Sequence, residues 1–321
     1  MLDTWQLKDI DWLLTDLSTG FIAHDLVGES VAPITPVGVL AGRYMVYDQS
    51  DWLIFDDVRA PGTVANEIVG GKWSTDTFSV VEHSLQVPVF DEEREEAAAA
   101  DAFPVDFGLD EQATLIATRS IALGHEYLIS TTFRNTASYA SASYYTTLSG
   151  TSQWSDYSGT SDPVNVVENA IRQVYVGTGR RPNKMIMPWI VWSYLRNHPK
   201  IVDRFKAFRL TAEDAFKELT GFDGELIIAE SQYNSAQNVD ATPAVVDFWG
   251  KDVWLGVVDP QPGQRTKTFA KTFMYPYQGK KRPVDTWREE SRKADLFRAS
   301  ERYDLKIVSN TGGYLIKNAV A

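Results

Sequence analysis

The chain has 321 residues, of which 44% are hydrophobic, which is enough for a sizeable core and for more than one lobe. It contains no cysteine, so disulfides, thiolate metal sites and cysteine nucleophiles are excluded. The net charge of −12 argues against a basic nucleic-acid-binding face, and no apolar run is long enough to mark a membrane span. The acidic N-terminus does not resemble a signal peptide, so we expect a soluble protein made in the cytoplasm.

The charge is divided unevenly along the chain. Residues 1–150 hold 23 acidic and 7 basic residues, a net charge of −16. Residues 151–321 hold 20 acidic and 24 basic residues, a net charge of +4. One interpretation is chance together with the acidic cluster at 91–96. The other is an electrically polar subunit that makes head-to-tail contacts with its own copies.

The N-terminal region predicts a short helix followed by an arm. Apolar residues have helical spacing over 9–17, and Gly20 ends the pattern. Residues 21–40 lose this period and contain several prolines and glycines. We therefore expect an extended arm that cannot bury itself and that lies on another surface, often that of another subunit.

Strand-forming residues and turns dominate the region from 43 to 89. Strands are predicted at 44–47, 52–55 and 78–87, and turns at Arg59-Ala60-Pro61-Gly62 and Gly70-Gly71-Lys72. A two-stranded loop of this length has too little core to be stable by itself. We expect it to dock on another surface.

The longest helical pattern covers 110–134, and we call it the spine helix. It follows an acidic helix predicted at 91–100, which ends at Phe103-Pro104. Asp110 is the predicted N-cap. The predicted apolar stripe consists of Ala113, Ile116, Ala117, Ile121, Gly124 and Leu128. We expect this face to be buried against strands within 264–277, with Gly124 as a point of close packing.

The second half of the chain predicts an α/β lobe. A loop or twisted-strand tract at 135–159 precedes it, and Ser161-Asp162-Pro163 has the pattern of a helix start. Helices and strands then alternate, with a hairpin predicted through 245–258. A charged stretch follows at 287–302, and a hairpin is predicted at the C-terminus over 303–317.

A search for catalytic motifs finds none that is specific. The four histidines, His24, His83, His125 and His198, lack metal-ligand spacing. The His125-Glu126 pair lies within the spine helix, where adjacent side chains diverge, so we interpret both as structural. We expect no enzyme activity, no cofactor and no metal. One alternative is a carbohydrate-active hydrolase, because that chemistry needs only carboxylates and aromatic residues, although no pair of acids is singled out here.

The order of the parts resembles a known family. A short helix and arm, a long two-stranded loop, a spine helix, an α/β lobe and a returning strand follow one another as in the major capsid proteins of tailed bacteriophages. The matching residues are Pro33-Ile34-Thr35-Pro36-Val37, Arg59-Ala60-Pro61-Gly62, Pro88-Val89-Phe90-Asp91, Phe103-Pro104-Val105-Asp106, Glu126, Trp154, Asp162-Pro163, Gly179, Pro182-Asn183, Leu195 and His198-Pro199-Lys200-Ile201. Each motif is weak alone, but their order and spacing together cover essentially the whole chain.

The resemblance implies an α+β chain of the Hong-Kong-97-type fold. Many copies would form the hexamers and pentamers of an icosahedral head around double-stranded DNA. The implied domains are an N-terminal arm at 1–42, an E-loop at 43–88, a P-domain at 89–160 with the spine helix at 110–134, an A-domain at 161–262, a return to the P-domain at 263–302 and a C-terminal hairpin at 303–321 in either domain. Inter-subunit contacts are expected at Arg59, Pro61, Gly62, Lys72, Trp73 and Phe78.

The implied partners are further copies of the chain, a separate scaffolding protein and a portal protein, with a decoration protein left open. Packaged DNA would be held without sequence specificity, no membrane is involved, and the location would be the virion after assembly in the host cytoplasm. Some family members carry a long N-terminal scaffolding segment. Here the arm begins almost at once, so a separate scaffolding protein or a removed precursor segment is expected. The related alternative is an encapsulin-type bacterial nanocompartment shell.

Overall fold

A computed structural model describes residues 9–20, 25–46, 58–59, 61–62, 64, 74–99, 108–205, 211–236, 242–261, 263, 266–277 and 279–321. The helices are α1 Trp12–Gly20, α2 Gly28–Val31, α3 Asp91–Ala99, α4 Leu109–Arg134, α5 Pro163–Thr178, α6 Trp189–Leu195, α7 Pro199–Phe205 and α8 Ala212–Thr220. The strands are β1 Asp9–Ile10, β2 Ile34–Pro36, β3 Ala41–Val46, β4 Ser74–Ser79, β5 Val81–Phe90, β6 Tyr145–Thr147, β7 Lys184–Pro188, β8 Glu225–Ala229, β9 Gln232–Asn234, β10 Val245–Asp247, β11 Val253–Gly256, β12 Ala270–Met274, β13 Val284–Glu289, β14 Ala294–Ile307 and β15 Gly313–Lys317.

Two sheets organise the described part of the chain. The six-stranded sheet has the order β1-β13-β14-β12-β2, and β5 pairs with β14. The five-stranded sheet has the order β6-β15-β11-β7-β8. Two antiparallel ribbons, β3–β4 and β9–β10, complete the strand pairings. In the described ranges, no helix combines the length and apolar character that crossing a bilayer requires.

The predicted spine helix is confirmed as α4, a continuous helix of 26 residues that packs on β14 and β5. Its first turn differs from the prediction. Gly108 is the N-cap residue and offers no side chain, so the expectation that Asp110 caps the helix is wrong. The Asp110 carboxylate instead accepts a hydrogen bond from Arg94 Nη2 at 2.6 Å, which ties α3 to the start of the spine helix.

The buried face of the spine helix is only partly the predicted stripe. Ala113, Ala117 and Ile121 are buried as predicted, but Ile116 is 56% exposed. Gly124 is exposed, and a Cβ built on it would meet nothing within 4 Å, so the prediction of close packing there is wrong. The buried face continues through His125, Glu126, Ile129, Ser130 and Phe133. Hydrophobic periodicity does not detect polar residues that are buried with hydrogen-bond partners.

The predicted arm folds largely onto its own subunit, which corrects the expectation that it lies on another surface. Val31 and Ala32 are fully buried and pack with Ile129 of the spine helix and Ala270 of β12. Strand β2 pairs in parallel with β12, with Ile34 opposite Thr272. Residues 25–37, which include α2 and β2, therefore fill the space between the spine helix and β12.

The two hairpins predicted in the second half of the chain, through 245–258 and over 303–317, are not formed, so both predictions are wrong. Strands β14 and β15 belong to different sheets, so the turn at 310–313 carries the chain from one sheet to the other. Strand β10 pairs with β9, whereas β11 pairs with β7 and β15. Turn residues mark where the chain changes direction, but the pairing partner is decided by burial against strands that are distant in sequence.

The predicted α/β lobe is built on the five-stranded sheet. Asp162 Oδ1 accepts a hydrogen bond from Asn165 N at 3.2 Å and Pro163 opens α5, as predicted. Gly179 ends the helix with φ +68°. Apolar residues of α5 and α8 pack on this sheet, among them Val167, Val174 and Phe216. The tract at 135–159 contributes β6, which pairs in parallel with β15.

Several predicted features lie outside the described residues. They are His24, the strand at 52–55, the turn at Gly70-Gly71-Lys72 and the helix end at Phe103-Pro104.

Candidate functional site

The first candidate surface is the loop between β3 and β4, where inter-subunit contacts were predicted. Arg59, Pro61 and Gly62 are exposed, and Gly62 has φ +86°, a conformation that favours glycine. Val58 and Val64 are 77% and 86% exposed. Single exposed apolar side chains are common on protein surfaces, so the two valines do not by themselves mark a contact, and inter-subunit contact through this loop stays a prediction. Two of the predicted contact residues, Lys72 and Trp73, lie outside the described residues.

Phe78 differs from the other predicted contact residues, because it is buried in its own subunit. It is 6% exposed and stacks on Phe273 of β12, with 4.6 Å between the ring centroids. Tyr44 of β3, which lies opposite Asp76 of β4, donates a hydrogen bond to Asp76 Oδ2 at 3.0 Å. Ser79 N donates to Asp304 Oδ2 at 2.8 Å. These contacts anchor the base of the loop to the six-stranded sheet, so the Phe78 side chain is a packing residue and not an exposed contact.

A second feature is a group of charged side chains between α2, the spine helix and β14. We call it the arm–spine cluster, and its members are Glu29, His125, Lys281, Arg282 and Glu301. Arg282 Nε donates to Glu301 Oε2 at 3.1 Å, and both side chains are almost fully buried. Lys281 Nζ donates to Glu29 Oε1 at 2.8 Å. Two carboxylates and two cations thus neutralise each other, which permits charge in this interior.

The histidine of the cluster joins the spine helix to β12 and β14. His125 Nδ1 lies 3.8 Å from Glu29 Oε1, and His125 Nε2 lies 3.3 Å from Thr272 Oγ1. The spine helix therefore does reach the strand predicted within 264–277. The rings of His125 and His83 both lie against Tyr303, at centroid distances of 4.3 and 4.1 Å. The cluster and these rings connect five separate segments of the chain: α2, β5, the spine helix, residues 281–282 and β14.

Three members of the arm–spine cluster, Glu29, His125 and Glu301, bring ligand atoms within 4.8 Å of one another, a spacing that a metal ion could use. Arg282 and Lys281 already supply positive charge to the two carboxylates. A divalent cation would add unneutralised positive charge in a buried region. The geometry is therefore better described as an internal ion-pair network.

Glu126 attaches α2 to the middle of the spine helix. Its Oε2 accepts a hydrogen bond from Gly28 N at 2.6 Å, and its Oε1 accepts one from Trp249 Nε1 at 2.9 Å. Burial raises the pKa of this carboxyl, although both hydrogen bonds act in the opposite direction. Gly28 is required by the close approach, because a Cβ there would lie 2.5 Å from Glu126 Oε2 and 2.9 Å from Ile129 Cδ1.

Gly28→Ala should destabilise the subunit by about 1–3 kcal/mol, because the added methyl group forces the contact with Glu126 apart. The matched control is Gly124→Ala, which adds the same methyl group in open space on the exposed face of the spine helix. That control should stabilise by up to about 1 kcal/mol through helix propensity. Urea unfolding followed by tryptophan fluorescence measures both, and equal effects of the two substitutions would contradict this assignment.

The Glu29 carboxylate should make stability depend on pH in acid. Burial raises its pKa, but hydrogen bonds and charges of His125 and Lys281 outweigh burial and lower it to about 2 from the ordinary 4.5. The folded-state pKa is below the unfolded value, so the stabilisation is fully present above about pH 4.5 and is lost as the pH falls toward 2. The side chain remains 45% exposed, and solvent screening limits the effect.

Thermal unfolding midpoints measured between about pH 6 and about pH 2.5 test this expectation. The midpoint should fall more steeply in the wild type than in Glu29→Gln. Parallel curves for the two proteins would show that Glu29 does not carry the acid dependence.

Sequence comparison identifies relatives along nearly the whole chain. The major capsid protein of Burkholderia phage BcepMu is 26% identical over 315 residues, which cover 97% of this chain and 97% of that protein. The major capsid protein of Pseudomonas phage JBD67 is 28% identical over 246 residues, which cover 75% of this chain and 74% of that protein. No protein-family profile matches the chain.

Structure comparison agrees on the fold. A phage-related protein from Bordetella bronchiseptica RB50 aligns with a TM-score of 0.75 at 23% identity, covering 97% of this chain and 98% of that one. The capsid structure of cyanophage P-SCSP1u aligns with a TM-score of 0.58 at 9% identity, covering 89% and 86%. The chain has the α+β, Hong-Kong-97-type fold of phage capsid proteins. Within that class, it is a homologue of phage major capsid proteins.

Sequence reasoning did not find the arm–spine cluster. Its members come from residues 29, 125, 281, 282 and 301, and none of them has a motif that relates it to the others. The available signal was the His125-Glu126 pair inside the long helical pattern of the spine helix. Two ionisable residues at such positions indicate partners elsewhere in the fold, but they do not indicate which segments supply them.

Proposed function

We propose that the chain is the major capsid protein of a tailed, double-stranded DNA phage, and that its copies form the hexamers and pentamers of an icosahedral head. The observation that carries this proposal is the relation to a curated phage major capsid protein over 97% of both chains. The fold supports it as well, because 89% of the chain aligns with the capsid structure of cyanophage P-SCSP1u.

The proposed domain division assigns a role to each part of the fold. The spine helix, the six-stranded sheet and the anchored arm are the P-domain. The five-stranded sheet with α5, α6 and α8 is the A-domain around each capsomer axis. Strands β6 and β15 belong to this sheet, although they lie outside residues 161–262. The loop between β3 and β4 is the E-loop, which contacts a neighbouring subunit through its exposed residues, including Arg59, Pro61 and Gly62.

The finer expectations about partners belong to the same proposal. A separate scaffolding protein and a portal protein would act in assembly, and a decoration protein remains an open alternative. The packaged DNA is held without sequence specificity, as the net charge of −12 favours weak contact with nucleic acid. The role is structural and non-enzymatic, with assembly in the host cytoplasm and the virion as the final location.

Sedimentation velocity of the purified protein tests the proposal. A capsid protein should sediment as capsomers or as closed particles far larger than the 36.0 kDa subunit. A stable monomer with hydrolase activity on a carbohydrate would contradict it and would favour the carbohydrate-active alternative. The encapsulin alternative predicts closed particles that contain a protein cargo, which mass spectrometry of particles purified from the native host would identify.

A further inference from the structure

Strand β5 is a long strand at one edge of the six-stranded sheet. Among the described residues it pairs with β14 alone, from Val81 opposite Tyr303 to Phe90 opposite Ala294. The side chains of 81–86 are exposed, except for the half-buried His83. Val81 and Leu85 lie on the same face of the strand and are 57% and 46% exposed. This part of β5 therefore offers apolar side chains at a sheet edge.

The hydrogen bonds of β14 show which backbone groups of β5 point away from the sheet. Ser300 lies opposite Ser84, but its N–H donates to Pro283 O at 3.1 Å, on the other side of β14. Opposed residues of an antiparallel pair exchange both hydrogen bonds or neither. The N–H and C=O groups of Ser84 therefore point outward. Because this direction repeats at every second residue, those of Glu82 and Gln86 point outward as well.

The outward stretch has a limit on each side of Ser84. Val80 N already donates to Leu40 O at 2.7 Å. Pro88 has no N–H, which suits a position whose backbone faces away from the sheet. In the described part of β5, the outward N–H groups that can bind another strand thus lie within 82–86, a stretch centred on Ser84.

The side chains around Ser84 are complementary to themselves. In an antiparallel pair of two copies centred on Ser84, each residue meets a compatible one: Val81 meets Val87, Glu82 meets Gln86 and His83 meets Leu85. The two Glu82 carboxylates are four residues apart in this register, roughly 13 Å. That distance exceeds the screening length of about 8 Å. Each carboxylate is also paired with Arg302 of its own subunit, at 2.7 Å from Nη2.

We propose that β5 of one subunit pairs with β5 of a second copy, antiparallel and centred on Ser84, so that the two six-stranded sheets become continuous. This inference rests on the proposed self-assembly, and it adds a contact separate from the loop between β3 and β4. The contact is isologous, because the same residues meet from both copies, and it lies on a twofold axis. Lysine and proline commonly protect an edge strand from pairing, and 81–87 contain neither.

Disulfide trapping tests the register, since the chain has no cysteine of its own. Ser84→Cys places two thiols opposite each other, at a Cα separation of about 5.5 Å that a disulfide can span. The matched control is Gln86→Cys, which is exposed on the same face but roughly 13 Å from its counterpart. We expect Ser84→Cys dimers in roughly tenfold excess over Gln86→Cys dimers, a difference of about 1.4 kcal/mol. Mixing Glu82→Cys subunits with Gln86→Cys subunits should restore the disulfide.

If particles form but Ser84→Cys dimers are absent, or only equal the Gln86→Cys dimers, the pairing is wrong and the capsid function stands. If the wild-type protein forms neither capsomers nor particles, the proposed function fails, and the pairing that rests on it fails as well.

A proline substitution gives an independent test. Ser84→Pro removes an outward N–H, so the subunit should unfold at nearly the wild-type temperature while particle yield falls roughly tenfold. The matched control is Leu85→Pro, which removes an N–H that points toward β14 and should destabilise the subunit itself. Normal particle yield of Ser84→Pro would overturn the pairing. A low yield of Ser84→Pro without Ser84→Cys dimers would also overturn it, and would assign the edge to a different occupant.

Discussion

Glu301→Gln should lower the free energy of unfolding by about 3–5 kcal/mol, the usual cost of removing one partner from a buried ion pair. Glu301 is fully buried and Arg282 is 5% exposed, so water cannot replace the lost charge. The neutral amide leaves Arg282 with Glu29, whose nearest oxygen is 3.4 Å from Arg282 Nη2 and already binds Lys281. Two cations then share one carboxylate in the centre of the arm–spine cluster.

The matched control is Asp223→Asn, which breaks the exposed pair with Arg181. That pair has side-chain exposures of 76% and 59%, and its loss should cost less than about 1 kcal/mol. Urea unfolding of unassembled subunits, followed by tryptophan fluorescence, measures both variants. Replacing Arg282 and Glu301 together by Met and Leu should cost less than Glu301→Gln alone, because no unpaired charge remains. Equal effects of Glu301→Gln and Asp223→Asn would show that the cluster does not hold the arm on the spine helix.

Deleting residues 62–72 should abolish assembly and leave the subunit folded. The contacts described at the base of the loop are made by residues outside this segment. Strands β3 and β4 keep their pairing from Ala41 opposite Ser79 to Val46 opposite Ser74, and Phe78 keeps its stack on Phe273. The deleted segment includes the strongly exposed Val64, whose side chain buries little in its own subunit. Its stabilising contacts are therefore expected to be between subunits.

Replacement of residues 62–72 by a glycine-serine linker of equal length provides the control. It retains the connection between β3 and β4 and removes the side chains. Both variants should unfold at nearly the wild-type temperature in differential scanning fluorimetry, and neither should form particles in electron micrographs. Unfolding of the deleted subunit would mean that the loop belongs to the core of its own subunit. Normal assembly of both variants would show that the loop is not a contact.

Local patterns in the sequence predicted the helices well. The spine helix follows from a long proline-free run with apolar residues at helical spacing, and α5 follows from an N-cap, a proline and a terminal glycine. These signals act between residues close in sequence. The position of Gly124 was misjudged because the buried face turns toward Glu126 and His125, whose burial depends on partners from other segments.

The strand pairing and the burial of the arm were harder to predict, because both depend on segments that are distant in sequence. Strand β14 pairs with β5, which lies more than two hundred residues earlier in the chain, and β15 pairs with β6 and β11. No local pattern specifies such partners. The arm lacked periodicity, so its burial between the spine helix and β12 was missed. The family resemblance, by contrast, depended on the order of parts along the chain, and that order does not require knowledge of any pairing.

Electron microscopy of the negatively stained, purified protein would show whether copies of the chain assemble into a shell. We expect hexameric and pentameric rings or closed icosahedral shells of uniform diameter, formed by the wild type and lost when residues 62–72 are deleted. Wild-type protein that remains as single subunits of 36.0 kDa at high concentration, with its scaffolding partner supplied, would contradict it.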